Sequence, residues 1–484
     1  MRMATVPLDP AALRRRHDEA RRLRAPLEPL WRDCADLVLP ARQAPGQDAR
    51  VYDGTAPDAA EQLAASLLAE LTPPWSRWCA VMPGPDVPPQ ARGELALLLD
   101  RASEALHAAF DASTFAVEVH QCYLDLVVFG TASLLVEDAP LGEAAPFRCA
   151  AVPVRDLAVE EGPDGRLDGT FRRSEPSAAQ LAHRFPQAIW PRAVQEALAK
   201  EPQRRFPLIE AVLPHEDGFG YAALLEQAEG GDGFIVEGRL AHSPFLNFRW
   251  LKTPGEAWGR SPAMKALPDI RTANKVVELV LKNASIAVTG IWQAEDDGVL
   301  NPATVRLVPG AIIPKAPGSA GLTPLAAPGR FDLSQMVLED LRTRIRHALL
   351  VDRLGQIDSP RMSATEVLER GAEMTRQLGA VFGRLRGELL EPLVQRVWTI
   401  LRRRGLVPDL PLDGRVVVLR HLSPLARAQA QANVQPTLLW LERAAQLGPE
   451  GLACIDIAAT TRWLAKTLGV PGELVHEAGE PPAL

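Results

Sequence analysis

The stretch WGRSPAMKALPDIRTANK, residues 258–275, puts Pro262 and Pro268 directly ahead of one of the best helical patterns in the chain. Ser261 can cap a first turn with Pro262 at the first helical position, where a missing N–H costs little. Pro268 then either starts the long helix or bends the chain on its way into it. Beyond it Ile270, Ala273, Val277, Val280, Leu281, Ala284, Ala287 and Val288 recur at helical spacing, and Arg271, Lys275, Glu278 and Lys282 form a polar stripe on another face. The spacing predicts a helix from Leu267 to Val288, roughly 33 Å long.

Working outward, residues 289–330 are rich in Pro and Gly and contain the strand-like VRLVPGAIIP. That is too long for a plain connection, so a small folded excursion is expected. Asp332 can cap the next helix, which reaches about Val351 with Leu333, Val337, Leu341, Ile345, Ala348 and Leu349 on one face. Two helices therefore bracket a small module. After the loop DRLGQIDSPR, the capping box Ser363-Ala-Thr-Glu366 opens a helical pattern that continues to Gly405, with a kink expected at Pro392.

Upstream, residues 147–250 are short alternating runs parted by Gly, Pro and Asp, read as mainly antiparallel β structure with one short helical insertion near 177–200. Before them lie helices over 58–71, 92–110 and 114–129, then a strand near 131–136. The first helix stops at Thr72-Pro73-Pro74, where Trp75 and Trp78 are expected to anchor the turn in a core. The arginine-rich helix over residues 10–39 should break near Pro26 and Pro29. The last 70 or so residues carry one short strand, RVVVLR at 415–420, and helices near 424–446 and 453–468. The fold class is α+β.

Composition narrows the function. A chain of 484 residues, 47% hydrophobic, can bury a large core, and a net charge of −7 argues against gripping nucleic acid over the whole surface. Five scattered cysteines suggest neither a disulfide framework nor a zinc site, which fits a reducing cytoplasm. Without the apolar core of a signal peptide or an 18-residue apolar run, the sequence reads as soluble, with no membrane partner. It holds no GxxxxGK[ST], no GxSxG and no HExxH. The nine histidines lack metal-ligand spacing, and Glu295-Asp296-Asp297-Gly298 reads as an acidic turn. No catalytic residue, metal or cofactor is nominated.

Four segments together resemble one family, the portal or head-to-tail connector proteins of short-tailed double-stranded DNA phages. YDGTAPDAAEQLAASLLAELTPPWSRW at 52–78 is similar to that family's aromatic-Asp-Gly/Ser-Thr start, helix and "ltPp..rW" ending. The opening stretch is similar to its "yGrgPa..aLpdi..lN" segment. LVPGAIIP at 307–314 and SATEVLER at 363–370, followed by GRLRGELLEPLVQRVWTILRRRG at 383–405, complete the resemblance over about 350 residues. The C-terminal 70 residues carry no such motif.

The resemblance implies a homo-oligomeric ring, usually of twelve subunits, at one capsid vertex of the virion, assembled from subunits made in the host cytoplasm. Double-stranded DNA would pass through it during packaging and ejection. The terminase large subunit and then head-tail adaptor or tail proteins would dock on it, and capsid and scaffold proteins would surround it. It also implies a division into wing (1–262), first stem helix (263–288), clip (289–330), second stem helix (331–352), channel loop (353–362), long kinked wing helix (363–410) and crown (411–484). On that reading Arg271, Lys275, Lys282, Arg353 and Arg361 are the candidates to face DNA, and Asp296, Asp297, Arg306 and Lys315 the candidates for clip docking. Arg271, Lys275 and Lys282 serve equally well as ion-pair partners or solvated cations. The competing classes are a helical adaptor that forms no ring and an enzyme with an unrecognised active site.

Overall fold

The structure is a computed structural model, and it describes residues 9–39, 51–216, 218–226, 234–289, 292–294, 316–318, 322–324, 331–351, 379–424, 434–448, 453 and 455–468. Helix α1 (Pro10–Arg24) is capped by Asp9, whose carboxylate accepts from the Ala12 N–H, and passes through a 3-10 turn at Ala25–Leu27 into α2 (Glu28–Val38). The turn lies where Pro26 and Pro29 withdraw backbone donors. Then come α3 (Thr55–Leu71), β1 (Cys79–Pro83), α4 (Arg92–Ala112) and α5 (Phe115–Phe129). Gly130, at φ 76°, ends α5 in the left-handed region that a helix C-terminus favours.

The β-rich part is antiparallel throughout. Strands β2 (Thr131–Asp138), β3 (Phe147–Val152), β4 (Leu157–Glu160) and β5 (Gly169–Ser174) come first. The expected single helical insertion is two helices, α6 (Ala178–Arg184) and α7 (Arg192–Lys200), because Pro186 and Pro191 interrupt it. Strands β6 (Leu208–His215), β7 (Gly218–Leu225), β8 (Val236–Leu240) and β9 (Phe245–Arg249) follow, then the short pair β10 (Leu251–Lys252) and β11 (Gly259–Arg260). One sheet has the order β3-β2-β9 and the other β4-β5-β6-β7-β8. The larger sheet is covered on both faces. Ile209, Ala211 and Leu213 meet Leu13 and Ala20 of α1, and Leu208, Ala223 and Leu225 meet Leu181, Val194 and Ala197 of α6 and α7.

The chain then enters α8 (Pro262–Thr289), β12 (Trp292–Ala294), β13 (Leu322–Pro324) and α9 (Phe331–Ala348). A helical run over 379–385 leads through a π turn, Arg386–Leu390, into α10 (Glu391–Arg403). The N–H of Glu391 bonds to the Arg386 carbonyl, five residues back, just before Pro392. Register thus shifts at the residues where the proline was expected to kink the helix. The last elements are β14 (Val417–His421), α11 (Val434–Gln446) and α12 (Ile457–Leu468). β14 pairs antiparallel with β1, Cys79 opposite His421, which ties the C-terminal region to the N-terminal helical body.

The largest core joins α3, α4, α5, β2, the roots of α8 and α9, and α10. Trp78 lies in it, 2% exposed, against His107, Phe110 and Phe115. Trp75 does not: it is 72% exposed, so only one of the two expected anchors is one. The turn spans Pro73 and Pro74, and three residues on, Trp78 faces the core while Trp75 faces solvent.

Candidate functional site

The opening stretch folds into the root of a helical hairpin. Ser261, 4% exposed, accepts from the Met264 N–H at 2.9 Å and donates to the Val128 carbonyl at 2.8 Å, so it caps α8 and pins it to α5. Helix α8 runs unbroken from Pro262 to Thr289 with Pro268 inside it, about a turn longer at its start than the spacing suggested. Gly259, just upstream, packs against Gly130 so closely that an added Cβ would lie 2.0 Å from the Gly130 carbonyl oxygen. No larger residue fits there, because the Gly130 backbone blocks it and Arg249 Cβ crowds it at 3.1 Å.

Helices α8 and α9 pack side by side. Asp269 and Arg344 pair at 2.6 Å at one end, and β12 pairs with β13 at the other, Trp292 opposite Pro324. The two helices are therefore antiparallel, with β12 and β13 at the far end of the hairpin. The root is buried: Ala263, Ala266, Leu267, Ile270 and Ala273 meet the main core together with Leu341, Ile345 and Leu349. Beyond Ala273 no side chain of α8 is buried among the described residues, and Leu279 and Leu281 are about half exposed. Met336 and Val337 on α9 are exposed at the same end.

A polar clasp fixes the root. Asn274 of α8 accepts from the backbone N–H groups of Tyr52 and Asp53 at 2.6 and 3.2 Å. Asp53 accepts from the Thr55 N–H at 3.0 Å, at the first residue of α3, and from Arg342 Nε of α9, also at 3.0 Å. Burial pushes the Asp53 carboxyl up, but the bonds from Thr55 and Arg342 outweigh it and hold the pKa below its ordinary value. The YDGT and WGRSPAMKALPDIRTAN segments, about two hundred residues apart, thus meet at one point.

Of the candidate cations, the structure describes three. Arg271 pairs with Asp33 of α2, and Lys275 and Lys282 both bond to Glu278, at 2.9 and 2.5 Å. The bonds from Lys282 and Lys275 lower the Glu278 carboxyl to about 2. The stripe read from the sequence is therefore a set of ion pairs within the chain. Arg353, Arg361, Asp296, Asp297, Arg306 and Lys315 lie outside the described residues, as does the Ser363-Glu366 capping box.

Sequence reasoning did not find the second polar joint. Arg249 at the end of β9, with a fully buried side chain, gives Nη2 to Glu388 Oε1 at 2.6 Å and Nε to Oε2 at 3.3 Å, and its backbone N–H also bonds to Oε2 at 2.9 Å. Glu388 sits in the π turn, so this pair locks the β body to the long helix. The remaining guanidinium donors reach the carbonyls of Ala257 and Gly165. No group of three or more His, Cys, Asp or Glu positioned to hold a metal occurs among the described residues, and no described helix is long and apolar enough to cross a membrane.

The family model described as "Bacteriophage head to tail connecting protein" matches residues 11–475. The chain belongs to that family. It is 25% identical over 480 residues to the "Probable portal protein" of Bordetella phage BPP-1, covering 92% of this chain and 85% of that one. It is 22% identical over 475 residues to the "Portal protein" of Salmonella phage epsilon15, covering 90% and 83%. A solved neck of a native gene transfer agent particle, computed with C12 symmetry, aligns over 87% of this chain and 90% of that chain at 12% identity, with a TM-score of 0.38. That superposition is loose, and the family assignment does not rest on it. The role is that of a portal, the connecting piece at the head-tail junction of the phage particle.

Proposed function

We propose that this portal protein acts as a closed homo-oligomeric ring, of twelve subunits, whose central channel passes double-stranded DNA during packaging and ejection. The observation that carries this reading is the hairpin α8–α9: its root is buried and clasped, and its outer half exposes Leu279, Leu281, Met336 and Val337. Such a half-covered helix pair is completed by the same pair in a neighbouring copy, and a head-to-tail contact of that kind closes into a ring. Twelve helices about 10 Å wide, set side by side, enclose an opening of roughly 28 Å, enough for a hydrated duplex.

In this ring α8 and α9 are the stem, and residues 289–330 are the clip, where the terminase large subunit docks first and the adaptor or tail proteins later. Residues 353–362 are the channel loop, residues 1–262 and 363–410 the wing that meets capsid and scaffold proteins, and residues 411–484 the crown. Asp296, Asp297, Arg306 and Lys315 are the docking candidates on the clip, and Arg353 and Arg361 the loop cations nearest the DNA. The role is mechanical, with no chemistry of the chain's own, and the subunits gather in the host cytoplasm before assembly. The test is mass photometry with negative-stain imaging of the purified protein: rings with a central hole are expected, and a persistent monomer under assembly conditions overturns the proposal.

A further inference from the structure

Two features of the described residues remain unpartnered. The first is a cavity of about 630 Å³ between α2, α5 and the segment after β3. Trp31 lines it, is 6% exposed, stands edge-on to Trp258 and Phe129, and has an indole N–H with no acceptor. Arg32 and Arg155 are exposed on the lining, and Arg24 beneath them is saturated by Glu28 and the carbonyls of Arg155 and Leu157. Asp125, also on the lining, is 4% exposed and already engaged. The cavity thus offers apolar lining from Leu39, Phe129, Pro153 and Val154, with two cations at its surface.

The second feature is the start of α4. From Leu99 onward this helix packs into the main core, and Leu95 reaches it from the first turn, but Leu97 and Leu98 point away from it, 72% and 45% exposed. Glu94 stands three and four residues before them, one turn away on the same face, and is exposed with no ion pair among the described residues. Arg101, a turn further on, is also exposed and marks the far edge of this face.

We propose that in the ring the exposed Leu97–Leu98 face of α4 from one copy seats on the α2–α5 cavity of the next. Leu97 and Leu98 sit against the apolar part of the lining, and the Glu94 carboxylate lies against Arg32 and Arg155. The match has the form a closed ring needs, because the two patches differ, are complementary and sit on the same chain. The proposal rests on the ring reading above.

The test is assembly followed by mass photometry as a function of concentration at fixed salt, with circular dichroism to confirm that each variant is folded. Glu94→Arg alone and the double change Arg32→Glu with Arg155→Glu should each raise the concentration for half-assembly by about tenfold, since like charges then face each other. Combining all three changes should restore most of the loss. Ala35→Trp, which fills the cavity from α2, should weaken assembly without any charge change. If the wild type forms rings and these variants assemble as it does, or if the combined variant shows no rescue, the α4–cavity contact is wrong and the ring stands. If the wild type never forms rings, both proposals fall.

Discussion

Asp53→Asn tests the clasp that holds the hairpin, because it removes one charge and leaves the shape. The Asp53 side chain is 4% exposed and that of Arg342 30%, with 3.0 Å between Oδ2 and Nε. Two unit charges about 4 Å apart attract by about 4 kcal/mol at an effective dielectric near 20. Desolvation of the carboxylate offsets much of this, and the net loss on neutralisation should be about 2 kcal/mol. The variant also weakens the bond at the start of α3, since an amide oxygen accepts from the Thr55 N–H less strongly than a carboxylate does. The pKa gives the loss a signature. Because the folded pKa lies below the unfolded value of about 3.9, the charge stabilises fully above that value and its contribution fades as pH falls through the folded pKa. Urea unfolding of wild type and variant, followed by circular dichroism, should therefore show a gap of about 2 kcal/mol at pH 7 and at pH 5 that closes toward pH 3. Amide exchange in α8 should quicken in the variant at neutral pH. A gap that is absent at pH 7, or that stays constant down to pH 3, would refute the clasp.

Breaking the second joint should cost more: Glu388→Leu takes the nearest carboxylate from the buried Arg249 guanidinium, leaving it Glu161 at 3.7 Å and two carbonyls, and should destabilise by about 3 kcal/mol, and adding Arg249→Met should recover a large part of that in the same urea assay. If the double change is no more stable than Glu388→Leu, the pair is not the joint. Trp78→Ala should cost about 3–5 kcal/mol and Trp75→Ala less than about 0.5, a contrast that thermal unfolding of the two variants reads directly. Replacing residues 291–328 by a short linker should leave rings visible in negative stain while abolishing terminase-dependent DNA packaging. Packaging that survives the deletion would remove docking from this module.

What the sequence made legible was local. Apolar spacing placed α3, α4, α5 and the two hairpin helices, because the repeat of buried positions along a helix shows which face seeks cover. Ser261 and Pro262 announced their cap for the same reason: capping is settled within four residues. The joints were not legible, since periodicity does not say which surface covers a face. Asp53 and Arg342 stand 289 positions apart, Arg249 and Glu388 139 apart, and β1 pairs with β14 across more than 300. Nor does residue type separate Trp75 from Trp78, for the direction of each side chain depends on a turn whose path follows from packing. The π turn was half visible: Pro392 predicted a disturbance, but the register shift falls on Arg386–Leu390, where Glu388 must face Arg249.

In the proposed ring, the ion pairs along α8 bear on how a channel wall built from it would let DNA slide. A protein that neutralises many phosphates releases many counterions and binds with an affinity that rises steeply as salt falls, which would hold a duplex in place. In this chain Glu278 occupies both Lys275 and Lys282, and Asp33 occupies Arg271, so each cation meets a phosphate only by giving up part of an existing pair. That exchange lowers the gain from each phosphate contact without removing the positive side chains. In the proposed ring, twelve copies at −7 each add a repulsion of about −84 charges in all, spread over the whole assembly. The stem would then centre the duplex by weak, replaceable contacts repeated around the ring, and Arg353 and Arg361 would be the cations left to touch it most firmly. DNA affinity of the assembled ring should accordingly vary only shallowly with salt for Lys275→Gln and Lys282→Gln against wild type, and a steep loss of salt dependence in those variants would show that the lysines hold phosphates and not Glu278.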